Sequence, residues 1–176
     1  FFPPSDRPQV VIDIDLPEGS SIYATAEAVK PLEKFLLKQE QIENFATYIG
    51  EGGPRFFLPF SPEQAKENFA FLLVTCHAFS DVKPLIKKTR EFIEQNMPNV
   101  RPWVRPLESG VPVDDPIEVR IYGKDIDTLY AIADQVKDFL RNTPGTYGIK
   151  DDWGIKTKKL IIDINQSKAK RVGLSS

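Results

Sequence analysis

The only cysteine and the only histidine of the chain are neighbours, Cys76 and His77. A thiolate and an imidazole in contact form a common nucleophile–base pair. These two residues end a segment that reads as a β-strand, and adjacent side chains of a strand point to opposite faces. They therefore cannot cooperate, and we interpret Cys76 as a small buried residue and His77 as a strand-end residue. One residue of each type also excludes a disulfide framework and a zinc site built from cysteine and histidine.

Two pairs of carboxylates offer the other spacing that could support catalysis or metal binding. Asp13 and Asp15 share one face of a predicted strand, and the alternation of apolar and polar residues predicts that this face is solvated. A solvated face provides nothing that would desolvate the acids and separate their pKa values for general acid–base work. Asp151 and Asp152 resemble a turn without further ligands, which makes a poor metal site.

Three glycines, Gly50, Gly52 and Gly53, could in principle form a phosphate-binding loop. No Lys-Ser or Lys-Thr pair directly follows them, and no helix is predicted to begin there. The backbone amides would then lack the helix N-terminus that helps to bind phosphate. The sequence thus gives no support to an enzyme, and it implies neither a cofactor nor a metal site.

Phenylalanine is abundant, and seven of the 12 fall in one stretch in the first half of the chain. Phe69 and Phe71 share one face of a predicted strand and are expected in the core. Phe56, Phe57 and Phe60 instead lie in a loop rich in glycine and proline. They fit a mobile apolar lid over a binding site or a partner-docking surface. They equally fit a loop that simply packs on the sheet, and the sequence leaves both interpretations open.

The composition narrows the class of protein further. The 176 residues include 23 Lys and Arg against 25 Asp and Glu, a net charge of -2, whereas a nucleic-acid binder normally carries a basic surface. Hydrophobic residues make up 41%, enough for a core, and no run approaches the roughly 20 apolar residues that span a bilayer. The chain begins with Phe1 rather than Met, so we expect a piece of a longer protein.

The hydrophobic pattern of the first part predicts a βαββαβ order, the ferredoxin-like arrangement. Strands are predicted at residues 10–16, 42–49, 68–75 and 100–107. One helix is predicted to follow a serine cap and to kink at Pro31, and another to follow Asp81. Pro102 and Pro106 predict that the fourth strand lies at a sheet edge.

A second unit is predicted after a short linker at residues 111–116. Its elements are strands at 117–121, 146–153 and 159–164, a helix capped by Asp125, and the start of a last helix at Gln166. This is a partial βαββα order.

The two units also repeat in sequence. The string YATAEAVK, which begins at Tyr23, aligns with YAIADQVK, which begins at Tyr130, at an offset of 107 residues. Two amphipathic units can look alike by composition, but consecutive identities favour a duplication. The sequence therefore predicts an α+β protein of tandem ferredoxin-like subdomains, residues 1–110 and 117–176, with the second incomplete.

Several strings of the chain resemble a periplasmic loop of the resistance-nodulation-division (RND) efflux transporters. They are FFPPSDRPQ, IDLPEGSS, YIGEGGPRFFLPF, PIEVRIYGKDIDTL and DDWGIKTKKLIIDINQSKAKRVGLS. The resemblance runs from Phe1 to Ser176, is greater to the second periplasmic loop than to the first, and points to the AcrB-like hydrophobe and amphiphile branch. In that family FFP lies where the chain leaves a transmembrane helix. Asn165 stands where the family usually has Asp.

The resemblance implies the periplasmic porter portion of a proton-driven inner-membrane antiporter of a Gram-negative cell. Its substrates would be hydrophobic or amphiphilic small molecules. The parent would be a homotrimer that works with a periplasmic adaptor and an outer-membrane channel, and it would contact the membrane through helices outside this chain. The proton relay would lie in those helices, so this portion would bind or gate substrate. Neither a nucleic acid nor a cofactor is implied.

The resemblance also matches residues 50–60 to the family's switch loop and the flanking strands to the lining of the drug pocket. The candidate substrate-binding residues are Tyr48, Gly50, Gly52, Phe56, Phe57, Phe60 and Phe71. Glu51 stands where multidrug members often have an aromatic residue. Metal-exporting members use several methionines, whereas Met97 is the only one here and is predicted outside the loop, which disfavours metal export.

A protein of another class fits the same elements: a free-standing tandem ferredoxin-like module that binds a small ligand or a protein partner across its sheets. An apolar helix of about 20 residues directly before Phe1 in the reading frame would favour the transporter. A start codon at that point would favour the module.

Overall fold

A four-stranded antiparallel sheet with two helices on one face forms the first part of the structure. The computed structural model describes residues 6–56, 60–108, 117–154, 162–171 and 173. The elements are β1 (Gln9–Asp15), α1 (Ile22–Leu36), β2 (Ile42–Ile49), β3 (Phe69–Cys76), α2 (Val82–Asn96) and β4 (Arg101–Pro106). The strand order is β2-β3-β1-β4, and every ladder is antiparallel. This is the predicted ferredoxin-like arrangement, and it confirms the α+β fold class.

The strands begin and end within about one residue of the positions that the hydrophobic alternation predicts. β1 is central, with Ile12 opposite Leu72 of β3 and Val104 of β4. β4 lies at one edge, as Pro102 and Pro106 predict, because a proline has no N–H for a second ladder.

The helix-side core lies between the sheet and the two helices. Its fully buried aliphatic side chains include Val10, Ile12, Ile14, Val29, Leu32, Leu36, Leu72, Val74 and Leu85. α1 begins where the Ser21 hydroxyl accepts a hydrogen bond from the Ala24 N–H at 3.3 Å, and it continues through Pro31 to Leu36. The rings of Phe35 and Phe92 stack with their centroids 4.3 Å apart and join the two helices.

The opposite face of the sheet is also covered, so the prediction of a solvated face for Asp13 and Asp15 was wrong. Val11, which lies on that face, is only 1% exposed. The segment that joins β2 to β3 folds over it; we call residues 50–66 the cover loop, of which 57–59 lie outside the described residues. The alternation of β1 did not reveal this covering, because a distant loop leaves no mark on the periodicity of the strand beneath it.

The second part contains α3 (Ile126–Arg141) and α4 (Gln166–Arg171). Asp125 caps α3, since its carboxylate accepts a hydrogen bond from the Thr128 N–H at 2.8 Å. The strands predicted at 117–121 and 146–153 are not formed in the described structure. A strand needs a ladder partner, and neither segment pairs with another described segment. The predicted linker and residues 159–161 of the last predicted strand lie outside the described residues, so the division into two subdomains stays a prediction. None of the described helices is long and apolar enough to cross a membrane.

Two fully buried threonines differ in how their hydroxyls are satisfied. The Thr25 hydroxyl of α1 lies 2.7 Å from the backbone carbonyl oxygen of Glu67, to which it donates, just before β3. The Thr89 hydroxyl of α2 has no hydrogen-bond partner within the part of the chain that the structure describes. Thr25 therefore ties α1 to Glu67, directly after the cover loop, whereas Thr89 carries a desolvated hydroxyl.

We expect Thr25→Val to lower the free energy of unfolding by about 1–2 kcal/mol, because the Glu67 carbonyl loses its partner. Thr89→Val is the matched control and should be neutral or stabilising, because it removes a buried hydroxyl without a partner. Urea denaturation of the two variants measures both changes. Equal losses of stability would contradict the assignment.

Candidate functional site

Phe71, in the middle of β3, is the centre of an aromatic cluster. Its ring centroid lies 6.0 Å from those of Tyr48 and Phe56 and 5.9 Å from that of Phe60. Phe56 and Phe60 are themselves 5.2 Å apart. These separations are typical of favourable aromatic pairs. Tyr48 reaches Phe71 because the two residues are directly opposite in the β2–β3 ladder. We call Tyr48, Phe56, Phe60 and Phe71 the aromatic cluster.

The cover loop is closed at its base by backbone hydrogen bonds. The Gly50 N–H donates to the Phe69 carbonyl at 2.8 Å, and the Lys66 N–H donates to the Gly50 carbonyl at 2.9 Å. One step further into the loop, the Gly52 N–H donates to the Glu63 carbonyl at 3.2 Å. The two ends of the loop therefore run side by side before the loop turns over the sheet.

Two glycines of the loop are required by close approach. A Cβ atom added to Gly52 would lie 2.3 Å from the Glu63 backbone nitrogen, closer than real Cβ contacts allow. At Gly53, φ is +71°, and an added Cβ would lie 3.0 Å from the Phe71 ring and 3.2 Å from that of Tyr48. The loop backbone thus lies directly on the rings of the aromatic cluster.

The structure unites four of the seven candidate residues in one cluster and places Gly50 and Gly52 at the base of the loop above it. Phe57 lies outside the described residues. Phe71 is 2% exposed and Phe60 is 5% exposed, so both are buried, while Tyr48 and Phe56 are half-buried. In this conformation the loop is packed on the sheet, and a substrate-binding role for these residues remains a prediction.

A buried ion pair that sequence reasoning missed lies beside the aromatic cluster. Arg105 of β4 donates from Nη1 to the Asp13 carboxylate, and the two side chains are only 15% and 13% exposed. Asp13 is opposite Phe71 in one ladder and opposite Trp103 in the other. The Arg105 guanidinium also lies over the Trp103 ring, 3.5 Å from its centroid. The ion pair therefore sits between the aromatic cluster and Trp103.

The pKa of Asp13 is raised above its ordinary value. Burial is the largest cause, because it disfavours the charged form more than the Arg105 guanidinium favours it. The negative charges of Asp15 and Glu63 act in the same direction. Lys66 pairs with both of these acids, at 3.2 Å from Asp15 and 3.6 Å from Glu63, and so joins the end of the cover loop to β1.

The other residues with possible chemistry are in structural surroundings. Burial, with a contribution from Asp81, raises the pKa of the Cys76 thiol to about 11, so the thiol stays protonated at neutral pH. Asp151 accepts a hydrogen bond from the Lys137 ammonium at 2.7 Å and one from the Gly154 N–H at 2.5 Å, which fits a turn. The described residues contain no group of three or more His, Cys, Asp or Glu that could hold a metal ion.

We expect Gly52→Ala to destabilise the base of the cover loop by about 1–3 kcal/mol, because the new methyl group meets the backbone of Glu63. Gly123→Ala is the control, since its Cβ would meet only the flexible side chain of Leu129, at 3.1 Å. Urea denaturation and hydrogen–deuterium exchange of residues 50–66 measure the effect. Unchanged amide protection in Gly52→Ala would contradict it.

The raised pKa of Asp13 predicts how stability depends on pH. A raised folded-state pKa contributes stability below the ordinary pKa of the group, and that contribution is lost as pH rises through the folded-state pKa. Asp13→Asn keeps a neutral side chain at every pH. Its free energy of unfolding should therefore exceed that of the wild type at pH 7 and approach it near pH 3. A variant less stable than the wild type at pH 7 would show instead that the ion pair is net stabilising.

Known proteins share both the fold and the family of this chain. The chain is similar to a heavy metal efflux pump in two crystal forms, with TM-scores of 0.68 at 19% identity and 0.67 at 18% identity. These matches cover 99% of this chain but only 19% and 18% of the pump, so the chain spans about a fifth of its length, and the likeness shows the fold alone. The family model described as the AcrB/AcrD/AcrF family matches residues 1–176. The chain therefore belongs to the AcrB/AcrD/AcrF family of RND efflux transporters.

Proposed function

We propose that the chain is the periplasmic porter portion of a proton-driven RND transporter that exports hydrophobic or amphiphilic compounds. The aromatic cluster, which joins the cover loop to the sheet, carries this proposal. In it, the half-buried Phe56 and the buried Phe60 are loop residues that lie against Phe71 of the sheet. When the loop lifts, Phe71 and Tyr48 become an apolar wall of the substrate path.

The construction of the loop supports such an opening. Its base is fixed by backbone hydrogen bonds and by Lys66, and its middle is held by the packing of Phe56 and Phe60. Gly50 and Gly53 have φ values of +81° and +71°, a region that favours glycine, so the backbone turns beside the rings. A bound apolar compound would lie between the loop rings and Phe71, in contact with Phe56, and would keep these surfaces away from water, which offsets the cost of opening.

The side chains also favour an organic substrate over a soft metal ion. Phenyl and phenol rings bind apolar surfaces, whereas soft metals prefer thiolate and thioether ligands. The only cysteine and the only methionine of the chain, Cys76 and Met97, belong to the helix-side core, on the other side of the sheet from the aromatic cluster. Metal export is the second candidate, because the similar solved structures are of a heavy metal efflux pump.

The arrangement of the whole transporter is part of the proposal. Residues 1–110 and 117–176 would be two porter-type subdomains joined by residues 111–116, and the parent would be an inner-membrane homotrimer with an adaptor and an outer-membrane channel. The family match along all of residues 1–176 favours this over a free-standing interaction module. The guanidinium of Arg90 on α2 lies 3.6 Å from the ring centroid of Tyr147, a contact between the two proposed subdomains.

We expect Phe56→Ala in the full-length transporter to reduce export of a hydrophobic fluorescent dye by about tenfold, the equivalent of about 1.4 kcal/mol of lost ring contact. Phe92→Ala is the matched control: it is also a half-buried phenylalanine with a stacked partner, but it lies in the helix-side core. Dye efflux is measured in cells that lack their own pumps and is normalised to the amount of transporter.

Two outcomes would overturn the proposal. Equal losses in Phe56→Ala and Phe92→Ala would mean that the aromatic cluster only packs. Protection of the same cells against copper, silver or zinc salts, without export of dye, would replace amphiphile export by metal export.

A further inference from the structure

We infer that Arg105 binds the acidic head group of an anionic amphiphile, exchanging its bond to Asp13 for one to the ligand, and that Asp13 takes up a proton from solvent in this exchange. The inference rests on the proposed function, because it names the substrate class and the polar end of the same site. The apolar tail of the ligand would lie on the aromatic cluster, and the carboxylate, sulfonate or phosphate would lie at Arg105.

The ion pair lies directly beside the aromatic cluster. Asp13 is the residue opposite Phe71, the centre of that cluster, so the ion pair begins where the apolar wall ends. The side chains of Arg105 and Asp13 are only 15% and 13% exposed. An amphiphile that enters between the loop and Phe71 therefore brings its head group to the ion pair.

We expect the ion pair between Asp13 and Arg105 to contribute little to the stability of the fold. Removing two charges from water is costly, and a buried ion pair often contributes little net stability compared with apolar residues. Folding alone therefore gives a weak reason for an ion pair at this position. The pair does provide a guanidinium that is already desolvated and beside an apolar wall, where its bonds to an anion are stronger than in water.

Trp103 holds the Arg105 side chain independently of Asp13. Its guanidinium lies 3.5 Å from the centroid of the Trp103 ring, and this stacking does not involve Asp13. A guanidinium has five N–H donors in a planar fork, which suits a carboxylate or phosphate. Trp103 therefore keeps the fork in place while the anionic partner changes from Asp13 to the ligand.

The charges around Asp13 also suit the exchange. The groups that act on Asp13 are Arg105 of β4, Asp15 of its own strand and Glu63 of the cover loop, and Lys66 pairs with these last two acids. Protonation of Asp13 removes one negative charge from this group, and one anionic head group at Arg105 restores it. The exchange therefore leaves the net charge of the site unchanged.

Proton uptake follows from the exchange. Burial already raises the pKa of Asp13, and Arg105 is the group that opposes this effect. When the ligand anion takes the guanidinium, the Asp13 carboxylate loses that support and protonates. Binding of an anionic amphiphile should then strengthen as pH falls, by up to about tenfold per pH unit for one proton. Binding of a neutral analogue should not depend on pH.

The experiment uses the full-length transporter in lipid nanodiscs and two probes, dansylundecanoic acid and its uncharged amide, between pH 6 and pH 8. In the wild type, the affinity for the acid should rise as pH falls, and the affinity for the amide should stay constant. Asp13→Asn mimics the protonated state, so it should bind the acid tightly at every pH. Arg105→Gln should reduce the affinity for the acid to that of the amide.

The controls separate this role from a structural one. Arg120→Gln changes an exposed arginine that pairs with Glu118 at 2.9 Å, and it should alter neither probe. Arg105→Lys keeps the charge without the planar fork, so it should bind the acid with an affinity between those of the wild type and Arg105→Gln. It serves where Arg105→Gln does not fold.

Two results would overturn the inference: acid binding that is independent of Arg105, or a pH dependence that persists in Asp13→Asn. If the amide binds and depends on Phe56, these results reject only the head-group assignment. If neither probe binds, the proposed function itself fails.

Discussion

The close approach of the cover loop to the sheet is the constraint on which the rest of the site depends. Gly52 lies so near the Glu63 backbone that a methyl group does not fit, and Gly53 lies against the rings of Phe71 and Tyr48. This approach turns a sheet with one covered face into a sheet with two. Phe60 is buried for this reason, and so is Phe71 beneath it. A sheet face without this loop would leave these rings in water. The ion pair between Asp13 and Arg105 lies beside them, with Asp13 opposite Phe71.

The two sides of β1 therefore have different chemistry. The helix-side core is mainly aliphatic and is covered by two helices of 15 residues each. The loop side combines aromatic rings with charged groups, and its cover has no regular secondary structure over the described residues of the loop. Among the described residues, aromatic rings and a mostly buried Asp–Arg ion pair meet on that side of the sheet. This combination is what the proposed recognition of amphiphiles requires.

Much of the fold could be predicted because it is local. Alternation in β1 and three- to four-residue spacing in α1 depend on neighbours in the chain. β1 forms within one residue of its predicted ends, and α1 forms after its predicted serine cap. The prolines of β4 correctly predict an edge strand. Aromatic enrichment with loop glycines located the aromatic cluster, since consecutive rings between Gly and Pro cannot all belong to a strand. The strands around α3 were harder to predict, because the pairing of a strand depends on a partner that its own periodicity does not reveal.

The ion pair could not be predicted for a related reason. Asp13 and Arg105 are 92 residues apart, and only the register of β1 against β4 brings them together. Even the correct register would have predicted an exposed pair, worth little in water. Glu63 of the cover loop adds to the rise in the pKa of Asp13, and that loop is held by a few contacts rather than by a helix or a strand. Segments of this kind open at lower free energy than the core does. Under the proposed function, opening of the loop would therefore change both the access to Phe71 and the charges around Asp13.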